Sequence, residues 1–288
     1  MTVLEMLKEM LAKEIEEHGP ESAVAKDLAR QIAEPDDGDD HIHVVMIKGD
    51  RPEIVRRRQL ENAAQNDAEA QFEFGVMYDT GEGAPQSHTE AAKWYRKAAE
   101  QGWAKAQHNL GHLYENGEGV PQDCAEAVKW YRMAADQGVT RSQYNLGFMY
   151  DYGEGIAQDF TEALKWYRKA ADGGHADAKN KLGVMCARGQ GVPRDYTEAF
   201  RLFRESADQG NARAYESLGA GYRKGEGVPQ DYVQAYKWYS LAVSEFAASE
   251  SMSVERATTR LNTVAAKMTE AQIVEAQRLA REWKPGMP

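Results

Sequence analysis

Apolar and small residues recur through the middle of the chain at intervals of 36 residues (111 − 75 = 36). Each interval holds two amphipathic stretches whose apolar positions lie three and four residues apart, which is typical of helices. A period of this length indicates stacked helix-turn-helix units, because each unit buries its apolar side only against its neighbours. The sequence therefore predicts an all-α solenoid. The clearest markers of the period are glycines that follow an apolar anchor: Gly75, Gly111, Gly147, Gly183 and Gly219.

Signals at the ends of the predicted helices agree with this division. The first helix of each repeat ends at a glycine such as Gly117, which suits the left-handed backbone of a helix C-terminus. The second begins with a capping box such as Asp123-xx-Glu126 and carries a Trp-Tyr pair, replaced by Leu202-Phe203 in repeat four. We predict that these aromatic pairs belong to the core. Glycine inside a helix costs about 0.5–1 kcal/mol relative to alanine, so its recurrence predicts close approach of the partner helix.

The repeats are flanked by two ends of different composition. Residues 34–40 are acidic and contain Pro and Gly, which indicates a linker. Residues 41–47 are predicted as a short strand or an extended segment. Atypical ends are expected, because an uncapped terminal repeat would expose its stacking face. The predicted division is 1–33, an N-terminal helical segment; 34–51, an acidic linker; 52–66, a capping half-repeat; 67–102, 103–138, 139–174, 175–210 and 211–246, five repeats; and 247–288, C-terminal capping helices.

The repeated motif resembles a known family. Its second copy runs Ala106-xxx-Leu-Gly-xx-Tyr-xx-Gly-x-Gly-Val-Pro-x-Asp123, followed by Ala127-xx-Trp-Tyr-xx-Ala-Ala-xx-Gly138. This pattern resembles the Sel1-like repeat, a relative of the tetratricopeptide repeat, over residues 67–243, and the C-terminal tail looks like the end of many bacterial members. The resemblance implies a right-handed α/α superhelix that acts as a protein-interaction adaptor. Members occur in several compartments, so the family alone does not place this chain.

Composition excludes some classes of partner and suggests a compartment. The net charge of −11 argues against nucleic acid, which calls for a basic stripe, and against an anionic membrane surface. No apolar run reaches the ~18 residues needed to span a bilayer, and the N-terminus lacks the pattern of a secretory signal. Cys124 and Cys186 occupy different places in their repeats, so they form no repeated disulfide framework. We therefore predict a cytoplasmic protein.

Candidate binding residues follow from the repeat geometry. If the first helices line a concave face, as in the tetratricopeptide relatives, the lining positions lie at fixed offsets from each recurring glycine. Aromatic residues concentrate in the first three repeats, and the charge changes from acidic to basic along the array. We predict a groove for a protein or peptide partner with aromatic hot spots; the alternative is a solvated face without a ligand. The predicted lining is Phe72, Val76, His108, His112, Glu115, Tyr144, Phe148, Asp151, Tyr152, Arg188, Arg223 and Lys224.

An enzymatic alternative depends on His108 and His112. Their i, i+4 spacing places both on one helix face, so they could chelate a metal in a hydrolase or metal-dependent enzyme. Glu115 is the one nearby third ligand, and two side chains rarely make a metal site. His41 and His43 are a similarly weak pair. No nucleophile–base pairing or carboxylate dyad is evident, so we predict no catalytic residues, no metal and no cofactor.

Two further interpretations concern the loops and the N-terminus. The Gly117-Glu-Gly119 loop and its copies are not a phosphate-binding loop, because these glycines close a helix and lack the Gly-Lys-Ser/Thr that opens one. Residues 1–50 could be a docking or oligomerisation arm that the array only spaces. The leading hypothesis is a non-enzymatic scaffold, and the sequence leaves its partner and oligomeric state open.

Overall fold

Two helices occupy each 36-residue interval in the computed structural model of the protein. The structure describes residues 67–286 except 83 and 247–250, together with residues 12, 13, 15, 16 and 19. These residues contain no strand, and the predicted all-α repeat class is confirmed. The complete helices among them are α1 (Ala68–Thr80), α2 (His88–Glu100), α3 (Ala104–Asn116), α4 (Cys124–Asp136), α5 (Thr140–Tyr152), α6 (Phe160–Asp172), α7 (Ala176–Arg188), α8 (Tyr196–Ala207), α9 (Ala212–Lys224), α10 (Tyr232–Glu245), α11 (Ser251–Ala265) and α12 (Glu270–Glu282).

The N-terminal predictions fall mostly outside the described residues. Residues 12, 13, 15 and 16 of the segment 1–33 are helical. The linker at 34–51, with His41, His43 and the segment 41–47, lies outside the described residues, and so does the half-repeat at 52–66. None of the described helices is long and apolar enough to cross a bilayer.

Side-chain caps begin the second helices, and glycines end the first ones. The Asp123 carboxylate accepts the backbone N–H groups of Ala125 and Glu126, both at 3.0 Å, and so starts α4. The glutamates of the predicted capping boxes pair with a cation one turn later, as Glu126 does with Lys129. The reciprocal box is complete at Thr269, which begins α12. The predicted left-handed glycines are confirmed, with φ between 71° and 78° at Gly81, Gly117, Gly153, Gly189 and Gly225.

The chain divides into two units, residues 1–122 and 123–288, called unit 1 and unit 2 below. In unit 1, α2 packs against both α1 and α3. In unit 2, α5 pairs with α6, α7 with α8 and α9 with α10, and each hairpin packs against the next. Helices α11 and α12 both pack on α10, so they cover the last repeat. Trp283, after α12, adds ring contacts with Tyr215 at 5.0 Å and Trp238 at 5.2 Å.

An aromatic ring of the second helix packs directly against the recurring glycine of the first helix. A Cβ on Gly147 would lie 2.8 Å from Cδ1 of Tyr167, and a Cβ on Gly183 would lie 2.5 Å from Cε1 of Phe203. Such distances are too short for any real Cβ, so only glycine lets the second helix of the hairpin approach this closely. The predicted packing role of this glycine is therefore confirmed. The other pairs of this kind are Gly75 with Tyr95 and Gly219 with Tyr239.

In repeats two to five, the second glycine of the loop packs on the backbone of the preceding repeat. Gly155 has φ 68°, and a Cβ there would lie 2.3 Å from the carbonyl carbon of Cys124. Gly227 has φ 81°, and its Cβ would lie 2.2 Å from the carbonyl oxygen of Tyr196. Both the left-handed backbone and the close approach therefore require glycine. This contact between repeats accounts for the Gly-x-Gly spacing without a phosphate ligand.

The aromatic pairs of the second helices are buried to different degrees. Tyr131 and Tyr167 are fully buried, while Trp166 is 7% exposed and Trp238 is 0% exposed. Trp130, at the matching position of α4, is only half-buried. The prediction that these residues belong to the core is confirmed for Tyr131, Tyr167, Trp166 and Trp238. Trp130 is less buried than predicted.

Candidate functional site

The first helices of repeats three, four and five lie side by side in unit 2. Lys181 Nζ on α7 donates to the Tyr152 hydroxyl on α5 at 2.9 Å. The Ser217 hydroxyl on α9 donates to Oδ1 of Asn180 on α7 at 3.0 Å. Their outward side chains therefore form one continuous surface. We call it the first-helix face; its exposed and half-buried members are Tyr144, Phe148, Asp151, Tyr152, Lys181, Val184, Arg188, Ser217, Ala220 and Lys224, and its buried members are Asn180 and Glu216.

Three aromatic residues of α5 occupy one end of this face. The Tyr144 ring stacks on His175, with centroids 4.5 Å apart and an angle of 9°. Tyr144 is half-buried, and this burial raises the pKa of its hydroxyl to about 12. Phe148 and Tyr152 lie next to each other, with ring centroids 4.4 Å apart. Tyr152 is 53% exposed, so it is the ring of this group that solvent reaches most easily.

Lys181, which the repeat pattern did not single out, completes the aromatic end. Lys181 Nζ lies 4.6 Å from the Tyr152 ring centroid, 5.2 Å from that of Phe148 and 3.9 Å from Asp151 Oδ2. Burial raises the pKa of the half-buried Asp151, while Lys181 and the Tyr167 hydroxyl, which donates to Asp151 at 3.4 Å, act in the opposite direction. Lys181 comes directly before the apolar anchor of its helix. From sequence alone, a lysine at this position is expected to be an ordinary solvated side chain.

The other end of the face contains a cleft of about 420 Å³. Helices α7, α8, α9 and α11 contribute to it. Arg188 and Lys224, both predicted binding residues, line this cleft together. Arg194 and Arg260 also line it and were missed, because one lies in a loop and the other lies beyond the repeats. We call this the basic cleft. Apolar side chains form part of its wall, including Val184, Phe203 and Ala220.

A buried carboxylate fixes one wall of the basic cleft. The Glu216 side chain is 8% exposed. It accepts hydrogen bonds from Arg256 Nε at 2.7 Å, Arg256 Nη2 at 2.8 Å and Arg260 Nη1 at 2.7 Å. Charge-assisted contacts of this kind are short and directional, so they hold Arg260 in place. Arg223, which was predicted to face the partner, is half-buried and does not line the cleft.

The predicted residues of repeat one lie against aromatic side chains of unit 1. Phe72 is half-buried, with its ring 5.8 Å from that of Tyr95 and 6.4 Å from that of Trp103. Val76 is also half-buried. Phe72 therefore takes part in packing with its neighbours.

His108, His112 and Glu115 lie on α3 of unit 1. His112 is exposed, and its ring Nε2 is 3.1 Å from the amide nitrogen of Asn116. His108 and Glu115 are half-buried. In the part of the chain that the structure describes, no group of three or more His, Cys, Asp or Glu side chains is placed to hold a metal ion.

The family model and the similar solved structures agree on one family. The family model described as Sel1 repeat matches residues 68–103, 104–139, 140–175, 176–211 and 212–245. A Sel1 repeat protein from Oxalobacter formigenes is 36% identical, with a TM-score of 0.64, over 68% of this chain and 81% of that chain. A protective antigen of uropathogenic Escherichia coli strains, which displays an SLR fold, is 30% identical, with a TM-score of 0.68. That match covers 97% of this chain but only 56% of the antigen. A comparison with curated proteins finds no match.

Proposed function

Because the chain belongs to the Sel1 repeat family, whose members are commonly protein-interaction scaffolds, we propose that it is a non-enzymatic scaffold. It holds a partner protein or peptide on its first-helix face. The observation that carries this proposal is the ring pair formed by half-buried Phe148 and exposed Tyr152, with Lys181 beside it.

Packing of the repeats does not require these side chains to be aromatic. The recurring residues Gly147 and Tyr167 make the close contact between α5 and α6. Phe148 and Tyr152 lie on the other side of α5, where the equivalent positions of repeat five are Ala220 and Lys224. Tyrosine is enriched among residues that dominate binding energy, because its ring is large, rigid and able to form hydrogen bonds. The ring pair is therefore suited to anchor a partner side chain.

Support for a scaffold also comes from what the polar groups already bind. His112 contacts Asn116, and Glu216 is saturated by two arginines, so neither is poised as a general base. We also propose a cytoplasmic location, and the free thiols of Cys124 and Cys186 support it. The net charge of −11 favours a protein partner over nucleic acid.

The test removes both rings without disturbing the buried packing. We expect Phe148→Ala with Tyr152→Ala to abolish recovery of the partner in affinity capture from the native cell, with proteins quantified by mass spectrometry. The matched control is Met133→Ala, which removes a 44% exposed apolar side chain from the second helix α4. Circular dichroism checks that all three proteins remain helical. Equal recovery by the double variant and the control would contradict the proposal.

A further inference from the structure

We propose that the basic cleft binds an acidic segment of the partner, in which carboxylates flank one apolar side chain. This inference rests on the proposed scaffold function and names the chemistry of the partner. It concerns the end of the first-helix face opposite to Phe148 and Tyr152.

The charge of the cleft is opposite to that of the chain. Four cationic side chains and two carboxylates line it, in a protein whose net charge is −11. The two carboxylates are already engaged, since Glu216 binds Arg260 and Glu226 lies 3.3 Å from Lys224 Nζ. The cleft therefore has a surplus of positive charge that its own carboxylates do not neutralise.

Two guanidinium groups carry this surplus. Arg188 and Arg194 are both exposed, and neither forms an ion pair among the described residues. Arg194 lies 5.6 Å from the centroid of the Tyr196 ring, which restricts its position and leaves its N–H donors available. A guanidinium presents paired donors that match the two oxygens of a carboxylate, so it selects an acidic side chain over a neutral one.

The interior of the cleft suits an apolar side chain. Val184, Ala187, Ala220 and Gly221 are small, and Phe203 provides a ring. The volume of about 420 Å³ falls within the roughly 300–1,000 Å³ of ordinary ligand pockets. An apolar residue can therefore enter while flanking carboxylates meet the arginines at the edge.

The wall on the α11 side is rigid before any partner binds. Three hydrogen bonds from Arg256 and Arg260 converge on Glu216. A preformed site loses less conformational entropy on binding than one that must be ordered by its ligand. Arg260 is therefore held in place on this wall, and the partner does not have to order it.

The test measures binding of defined peptides to the full chain by fluorescence anisotropy. The probe is a short fluorescein-labelled peptide with a central phenylalanine that is preceded by two glutamates and followed by two glutamates. A second peptide replaces the glutamates by glutamines. We expect the acidic peptide to bind at least about tenfold more tightly, and to weaken when KCl rises from about 50 to about 300 mM. Equal affinity for the two peptides would overturn the proposal.

Variants locate the binding. Arg188→Gln with Arg194→Gln should weaken binding of the acidic peptide about tenfold or more, because charge-assisted hydrogen bonds are lost. The matched control Arg281→Gln removes an exposed arginine from α12 and should leave the dissociation constant unchanged. A labelled oligothymidylate of similar length serves as the competing polyanion. Unchanged binding by the double variant, or tighter binding of the oligonucleotide at the same arginines, would overturn the inference.

The two proposals fail separately. Loss of partner capture in the Phe148/Tyr152 variant, together with no preference for the acidic peptide, overturns the cleft inference alone. Preference for the acidic peptide, together with unchanged capture by that variant, overturns the aromatic site and leaves the cleft in place.

Discussion

Tyr144 of repeat three and Glu216 of repeat five occupy the same position, three residues before the recurring glycine. Both helices make the same contact with the second helix of their hairpin, because the Tyr167 ring packs against Gly147 and the Tyr239 ring packs against Gly219. Away from this contact the half-buried Tyr144 and the buried Glu216 have different partners. Tyr144 stacks on His175, whereas Glu216 binds Arg256 and Arg260.

One first helix therefore combines a constant contact with the second helix of its hairpin and a variable contact with neighbouring elements. The side that contacts the second helix of its hairpin is fixed by the space around the glycine. The outer side can be aromatic or ionic while the backbone of the hairpin stays the same. Changes at the contact with the second helix should therefore reduce the free energy of unfolding strongly, and changes at exposed positions of the first-helix face, such as Tyr152 and Arg188, should alter binding with small effects on stability.

The largest effect is expected from the tryptophans of the second helices in unit 2. Trp166 is 7% exposed, so Trp166→Ala should lower the free energy of unfolding by about 3–5 kcal/mol. Trp130 holds the same position in its repeat but is half-buried, and Trp130→Ala should cost roughly 1–2 kcal/mol. Urea denaturation followed by circular dichroism measures both. Equal losses would show that burial of this position does not govern stability.

An intermediate effect on stability is expected where an aromatic ring packs against the helical glycine. Gly183→Ala places a Cβ 2.5 Å from the Phe203 ring, so overpacking of about 1–3 kcal/mol should exceed the ~0.5–1 kcal/mol gain in helix propensity. Phe203→Leu removes the ring that causes the clash. In a double-mutant cycle, the double variant should therefore be less destabilised than the sum of the single variants. Additive losses would mean that the ring is not what excludes a side chain at Gly183.

The smallest effect is expected at His175, beside Tyr144, and it depends on pH. Burial lowers the pKa of His175, so the unfolded chain binds a proton first as pH falls below about 6.5. The stability that neutral His175 contributes is thus present above that pH and lost below it. Its Nδ1 accepts the Ala178 N–H at 3.4 Å and caps α7, which a protonated ring cannot do.

The matching variant is His175→Asn, because Asn211 caps α9 in the same way, with its Oδ1 accepting the Ala214 N–H at 3.0 Å. Between about pH 7.5 and 5.5, the wild-type protein should lose up to ~1 kcal/mol more stability than this variant. Thermal unfolding at the two pH values measures the difference. Parallel losses in both proteins would exclude His175 as the titrating group.

The sequence was sufficient for features that repeat. The period, the left-handed glycine at the end of each first helix and the Asp123-type caps are local signals, and five copies reinforce them. The sequence predicted that the partner helix comes close to Gly147. It did not show that the group in contact with this glycine is the Tyr167 ring. The helical period fixes which side of a helix is buried, and so these features could be predicted.

The chemistry of the first-helix face could be predicted only in part. Offsets from the glycine select outward positions such as Tyr152 and Arg188, but they do not show what a neighbouring element places beside them. Lys181 reaches Tyr152 from the next repeat, and Arg260 reaches the cleft from beyond the last repeat. Such contacts depend on tertiary structure, and no local pattern in the sequence reports them.

The loop glycines have a consequence for how an array of this kind can grow. Gly155 and Gly227 press against backbone atoms of the preceding repeat, at Cys124 and at Tyr196, so the contact does not depend on which side chain that repeat carries. At this contact a duplicated copy can therefore follow another copy without a matching change of side chain, whereas adding a single residue to the loop would displace the glycine. Evolution and protein engineering should accordingly find it easier to lengthen this array by whole repeats than to resize one repeat.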